Sequence, residues 1–145
     1  MMRCAALTAC VAAWLAGAVA AAPPLLRDVH LVSASAPGGE LTHPEYALDG
    51  DPSTELRFAW PNGGVQLLLD LGGPTVLEGI RVTNGHSERL VWLIEVSVGP
   101  NPEHLRPLLG RTVNLGMWRP AEVTEVPLPS AVGRYAEVRL GAASS

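Results

Sequence analysis

The sequence predicts an all-β fold, an antiparallel β-sandwich, on three observations. Apolar residues recur at every second position in several short runs, Gly- and Pro-rich turns separate those runs, and no helical stretch is long enough to cross between parallel strands. Strands are expected at 29–35, 65–71, 76–84, 90–98, 108–113, 122–128 and 135–140.

The clearest run places Leu90, Trp92, Ile94, Val96 and Val98 on one face and Val91, Leu93, Glu95 and Ser97 on the other. Side chains alternate across a strand, so the first set reads as core, each large aliphatic stabilising the fold by roughly 1.5–3 kcal/mol when fully buried. Val65, Leu67, Leu69 and Leu71 repeat the pattern, and Ile80 and Val82 continue it with Arg81 and Thr83 turned outward. Pro127 cannot donate to a ladder, so the 122–128 run is expected to be an edge strand or to carry a bulge.

The punctuation is Pro37-Gly38-Gly39, Asp49-Gly50-Asp51-Pro52, Pro61-Asn62-Gly63-Gly64, Gly72-Gly73-Pro74, Asn84-Gly85 and Gly99-Pro100-Asn101-Pro102. Gly supplies positive φ and Pro fixes φ while removing a donor, so these read as turns. Fifteen Gly and 13 Pro would suit a disordered chain, but 48% hydrophobic residues set in alternation specify a folded one.

Residues 1–20 read as a signal peptide: Arg3 is the sole charge before Arg27, an Ala-, Leu- and Val-rich stretch follows, and Ala18-Val19-Ala20 is a small-x-small exit. A membrane span is the competing reading, disfavoured by the Ala and Gly content and by Pro23-Pro24. Residues 21–28 then form a linker and 29–145 one domain, secreted to an extracellular or periplasmic space with no transmembrane span after processing. Both cysteines, Cys4 and Cys10, fall in the leader, so the domain is expected to stand on packing without a disulfide.

The formal charge is −4 and the ten basic residues, all Arg, are spread along the chain, which disfavours nucleic acid as a partner. No Gly-x-Ser-x-Gly, His-Glu-x-x-His, P-loop or paired-cysteine motif is present, and His30, His43, His86 and His104 lie on separate segments, so no enzyme is expected.

Several segments, in order, resemble the discoidin or coagulation factor 5/8 C-type family, whose domains are galactose-binding-like and include carbohydrate-binding modules. Ala47-Leu48-Asp49-Gly50-Asp51-Pro52-Ser53-Thr54 is similar to its "A-x-D-G-D-x-x-T" loop, Asp70-Leu71-Gly72 to its "DLG" strand ending, 76–82 to the strand that follows, Glu95-Val96-Ser97 to its "e-v-S" strand, and Arg134-Tyr135 with Val138-Arg139-Leu140 to its "a-R-Y-v-R-l" strand. The resemblance covers residues 29–140. It implies a jelly-roll sandwich that binds glycans, phospholipid heads or proteins through loops at one end, and a structural calcium at the Asp-Gly-Asp loop. The family's Trp two residues past the loop threonine is Leu56 here, and its "S-x-D-G" turn is Val98-Gly99-Pro100-Asn101.

Asp49, Asp51 and Thr54 are the expected metal ligands, since calcium mixes carboxylates with carbonyls in irregular geometry. An Asp-Gly turn that merely caps its own amides is the equal alternative. Sugars present apolar C–H faces and hydroxyl edges, so a site for a glycan or cell-surface ligand calls for an aromatic beside Arg, Asn or His donors. Arg57, Trp60, Asn84, His86, Arg89 and Trp118 fit, all on or beside loops, with core packing the alternative for Trp60 and Trp118. The function expected is a non-catalytic carbohydrate-binding or cell-surface adhesion module, with a protein-interaction sandwich lacking a sugar pocket as the second reading.

Overall fold

The computed structural model describes residues 3–7, 12–13, 26, 28–36, 40–51, 56–60, 65–83, 93–112 and 123–141. Its strands are β1 (Arg3–Leu7), β2 (Ala12–Ala13), β3 (His30–Ser35), β4 (Leu41–Thr42), β5 (Leu56–Trp60), β6 (Val65–Thr83), β7 (Leu93–Gly99), β8 (Arg106–Thr112) and β9 (Val123–Gly141), with one 3-10 helix at Pro44–Leu48. All the pairings are antiparallel, and the sandwich expected from the alternation is present.

β6 and β9 carry the architecture. A straight strand of 19 residues would run about 60 Å, longer than a domain of this size is wide, and the ladder between these two is interrupted twice. At the first interruption Asp70 pairs with Tyr135 and Thr75 with Gly133, so residues 71–74 of β6 stand opposite Arg134 alone. At the second, Leu77 pairs with Ala131 and Gly79 with Pro127, so 128–130 of β9 stand opposite Glu78. Each strand thus has two arms. The 65–70 arm of β6 lies in a five-stranded layer ordered β3, β6, β9, β7, β8, while β2 pairs with the second arm at Arg81 and Ile80. β1, β5 and β4 make a separate three-stranded sheet.

One core joins these parts. Leu67, Leu69, Ile94, Val96, Val138 and Leu140 of the five-stranded layer pack in the same buried cluster as Leu77, Ile80, Val82, Val126 and Leu128 of the second arms, with Ala47 and Leu56. The alternation therefore points inward as the sequence predicts. Leu56 is fully buried, so the position where the resembled family has Trp is a core position here. Thr83, expected outward, is buried beside Val82 where β6 ends against Val123.

Three expectations are corrected. Gly72-Gly73-Pro74 does not end a strand: because β9 runs past it and pairs on both sides, 65–71 and 76–84 become one strand with an excursion, in which Gly72 has φ 86°. The 122–128 and 135–140 runs merge likewise into β9. Strands β4 and β5 and the 3-10 helix arise in stretches between the expected turns for which no element was expected. Pro127 sits at the second interruption, on an arm of β9 that among the described residues pairs with β6 only, which suits its missing donor. Residues 90–92 and the 37–39, 61–64 and 84–85 turns lie outside the described residues.

The first interruption also brings glycines against neighbours. A Cβ on Gly133 would collide with Val98 Cγ1 and lie 2.9 Å from the Gly99 carbonyl oxygen, whereas one on Gly73 meets nothing within 4 Å. Gly133→Ala should therefore destabilise by about 1–3 kcal/mol through overpacking and lower the melting temperature by several degrees. Gly73→Ala should melt near the parent, and a thermal scan of both variants checks the contrast.

Candidate functional site

Two of the family-like motifs, 64 residues apart in sequence, meet at the first interruption. Arg134 Nε and its Nη2 donate to the two carboxylate oxygens of Asp70 at 3.1 and 3.2 Å, and the Gly72 amide donates to Asp70 Oδ1 at 2.9 Å. The guanidinium also lies 5.4 Å from the centre of the Tyr135 ring. Hydrogen bonding from Arg134 first, then from the Gly72 amide, holds the Asp70 carboxyl below the usual carboxylate range. Both oxygens of this carboxylate are engaged in bracing.

A polar row crosses the outer face of the five-stranded layer. Arg139 of β9 faces Gln66 of β6 and Glu95 of β7, donating to Glu95 Oε2 at 3.3 Å and, with the Gln66 amide turned so that its oxygen meets the guanidinium, to that oxygen at 2.9 and 3.2 Å. Further along, Arg81 donates to Glu125 Oε1 at 2.7 Å and Ser130 to Glu78 Oε1 at 3.0 Å. These pairs tie strands together, and each is exposed enough to contribute modestly.

Arg57 and Trp60 lie on β5 rather than on a loop, with Arg57 the backbone partner of Thr42 and of Ala6, and Trp60 the partner of Arg3. Asn84, His86, Arg89 and Trp118 lie outside the described residues, on connections 84–92 and 113–122. The roots of those connections are paired, Thr83 with Val123 and Leu93 with Thr112, so both leave from neighbouring points of the sheet.

Asp49 and Asp51 are exposed and flank Gly50, whose φ of 72° turns the chain, while Thr54 lies outside the described residues. The Asp51 amide donates to Asp49 Oδ1 at 2.9 Å, so the Asp-Gly turn of the sequence reading is formed. Among the described residues no group of three or more His, Cys, Asp or Glu side chains is arranged around a metal position. Two carboxylates and the carbonyls of a tight turn remain donors of the hard-oxygen kind that calcium takes.

Sequence reasoning passed over one cluster just before this loop. His43 has φ 53°, the one non-Gly residue at positive φ among the described residues, and precedes Pro44 at the start of the 3-10 helix. Its Nδ1 lies 2.9 Å from Glu45 Oε1 and its ring stacks on Tyr46 at 4.7 Å, 18° from parallel. Local His-Pro-Glu-Tyr order gives no periodic signal, and a single residue's φ leaves no trace in composition.

Solved structures share this architecture. The CBM32 of AlyQ in complex with 4,5-unsaturated mannuronic acid superposes with a TM-score of 0.59 over 77% of this chain and 82% of that one, at 18% identity. The fold is that of a CBM32 domain. Truncated AlyQ with CBM32 and alginate lyase domains matches at TM-score 0.57 and 17% identity, over 77% of this chain but only 28% of that one. The C-terminal domain of a chitobiase from Bacteroides fragilis matches at 0.56 and 12% identity, over 82% and 87%. No family model and no curated protein sequence matches the chain. The discoidin-type, galactose-binding-like fold implied by the motif order is thereby found in three dimensions.

The bracing of this CBM32-like fold by Asp70 carries a pH signature. Its folded-state pKa is depressed, so its contribution to stability is fully present above the unfolded value, about 4, and is lost as pH falls through the lower folded-state value. Asp70→Asn should lower stability at neutral pH and flatten its acid-side decline, which denaturant titrations between pH 7 and pH 2 will read.

Proposed function

We propose that this chain is a non-catalytic carbohydrate-binding module of a secreted or cell-surface protein, acting by recognition and proximity. The observation that carries the reading is the CBM32 fold, one example of which holds a sugar acid. Two features of this chain support it. The described residues flanking 84–92 and 113–122, the stretches that carry Asn84, His86, Arg89 and Trp118 in the sequence, are paired, Thr83 with Val123 and Leu93 with Thr112, and Arg57 and Trp60 belong to one short strand. Recognition through an aromatic flanked by planar donors is the chemistry these residue types offer to a sugar.

The leader belongs to the same proposal. β1 and β2 come from residues 1–20, pairing with β5 and with the second arm of β6, and cleavage after Ala20 would leave β4–β5 and the five-stranded layer to hold the domain. Among the described residues no helix is long and apolar enough to cross a membrane. Calcium, with Asp49, Asp51 and Thr54 as ligands, would brace the loop preceding β5 and so act on the site through position.

A glycan array followed by calorimetry tests the function: binding to at least one glycan is expected, and its absence across neutral and acidic sugars, with and without calcium, would remove this reading. Trp118→Ala should weaken that binding at least tenfold at an unchanged melting temperature, and a large drop in melting temperature would instead make Trp118 a core residue. Calcium at a hundredfold excess over its dissociation constant should stabilise the fold by about 2.7 kcal/mol, seen as a higher melting temperature than in chelator.

A further inference from the structure

The strand edges of this fold differ in how they are guarded. Among the described residues β3 pairs only with β6, and its ladder is broken by the extra residue Val32. β8 pairs only with β7, and its ladder holds Pro107 and the extra residue Leu108. Bulges and prolines of this kind keep natural edge strands from pairing with other chains. β5 has neither: it reads Leu-Arg-Phe-Ala-Trp, and its five pairs with β1, from Arg3 opposite Trp60 to Leu7 opposite Leu56, run without a shift.

β1 is what covers that unguarded edge, and β1 belongs to the leader. Its removal after Ala20 leaves β5 paired with β4 alone among the described strands, at Leu41–Phe58 and Thr42–Arg57. A two-stranded ribbon is marginal by itself, and three or more strands make a sheet that holds. β5 nevertheless stays in place, because Leu56 is fully buried and Leu41 packs against the same core. Cleavage thus leaves a regular, anchored strand in want of a neighbour.

The seat shows what that neighbour has to be: an extended segment running antiparallel to β5, as β1 does. A second β5 meets both conditions. A two-fold axis at Phe58, the residue that β1 meets with its central Ala5, sets two copies antiparallel with Leu56 opposite the partner's Trp60 and Arg57 opposite the partner's Ala59. The one charge on each strand then stands opposite an alanine, so no like charges are opposed.

Resting on the removal of the leader proposed above, we infer that the processed chain pairs with a second copy of itself through β5, antiparallel and centred on Phe58, in the place that β1 leaves. The pairing gives a sheet ordered β4, β5, β5, β4 across the two-fold and brings together the two strands that carry Arg57 and Trp60.

The test expresses the full-length chain in a secreting host and follows the exported product by intact mass, sedimentation equilibrium and thermal melting, with Ala59→Lys and Ala59→Glu alongside. Each substitution sets its charge opposite the partner's Arg57, and the two-fold makes that contact twice. Expected are a mass lacking residues 1–20 and a reversible dimer. Ala59→Lys should weaken that dimer and Ala59→Glu tighten it, each by roughly 2- to 30-fold, with the dissociated variants melting near the parent. A processed product that sediments as a monomer, or a dimer that the two charges move in the same direction or not at all, would overturn the pairing. A product that keeps residues 1–20 would overturn the leader reading and the inference together. The sugar-binding reading is decided separately by the glycan array, whichever way the sedimentation falls.

Discussion

The clasp of Arg134 on Asp70 is the interaction on which the rest of this fold leans. It sits where β6 steps out of register with β9, and it closes the gap that the step opens: residues 71–74 make an excursion opposite a single residue, and that residue's own side chain reaches back to the strand. Asp70 does two jobs with one carboxylate, accepting from Gly72 to shape the excursion and from Arg134 to fasten it. With the step fixed, both arms of β6 present their apolar positions to one core. Val98 and Gly99 close against Gly133 immediately alongside, so the same corner is both fastened and tightly packed.

How much of this was legible follows from range. Alternation is local, and it correctly assigned Val65, Leu67, Leu69, Ile94, Val96 and Val98 to the interior. The motifs around Asp70 and Arg134 were also visible, because each has a short signature. That they touch was not, since nothing in the spacing of two residues 64 apart specifies contact. Continuity through Gly72-Gly73-Pro74 was hidden for a related reason: turn chemistry reads as an ending unless one knows that a partner strand continues past it.

The candidate site was legible unevenly. Residue chemistry singled out Arg57 and Trp60, and the structure places them on β5, a strand too short for periodicity to announce. The Asp49 turn formed as its Asp-Gly sequence implies. His43 left no such sign, because its distinction lies in a backbone angle and in two neighbours that only the 3-10 helix brings round to it. Identity of 12–18% to structures of the same shape shows the same division: the pattern of inward and outward residues suffices for the fold, while the surface that selects a ligand is free to diverge.

β9 is inserted between β6 and β7, both of which precede it in the chain. On a ribosome those two strands therefore emerge with their facing edges bare and stay so until residues 123–141 arrive. Such long-range closure is slow and leaves strand edges open to mispairing. Closure of the five-stranded layer therefore waits for residues 123–141, the last strand of that layer to be made.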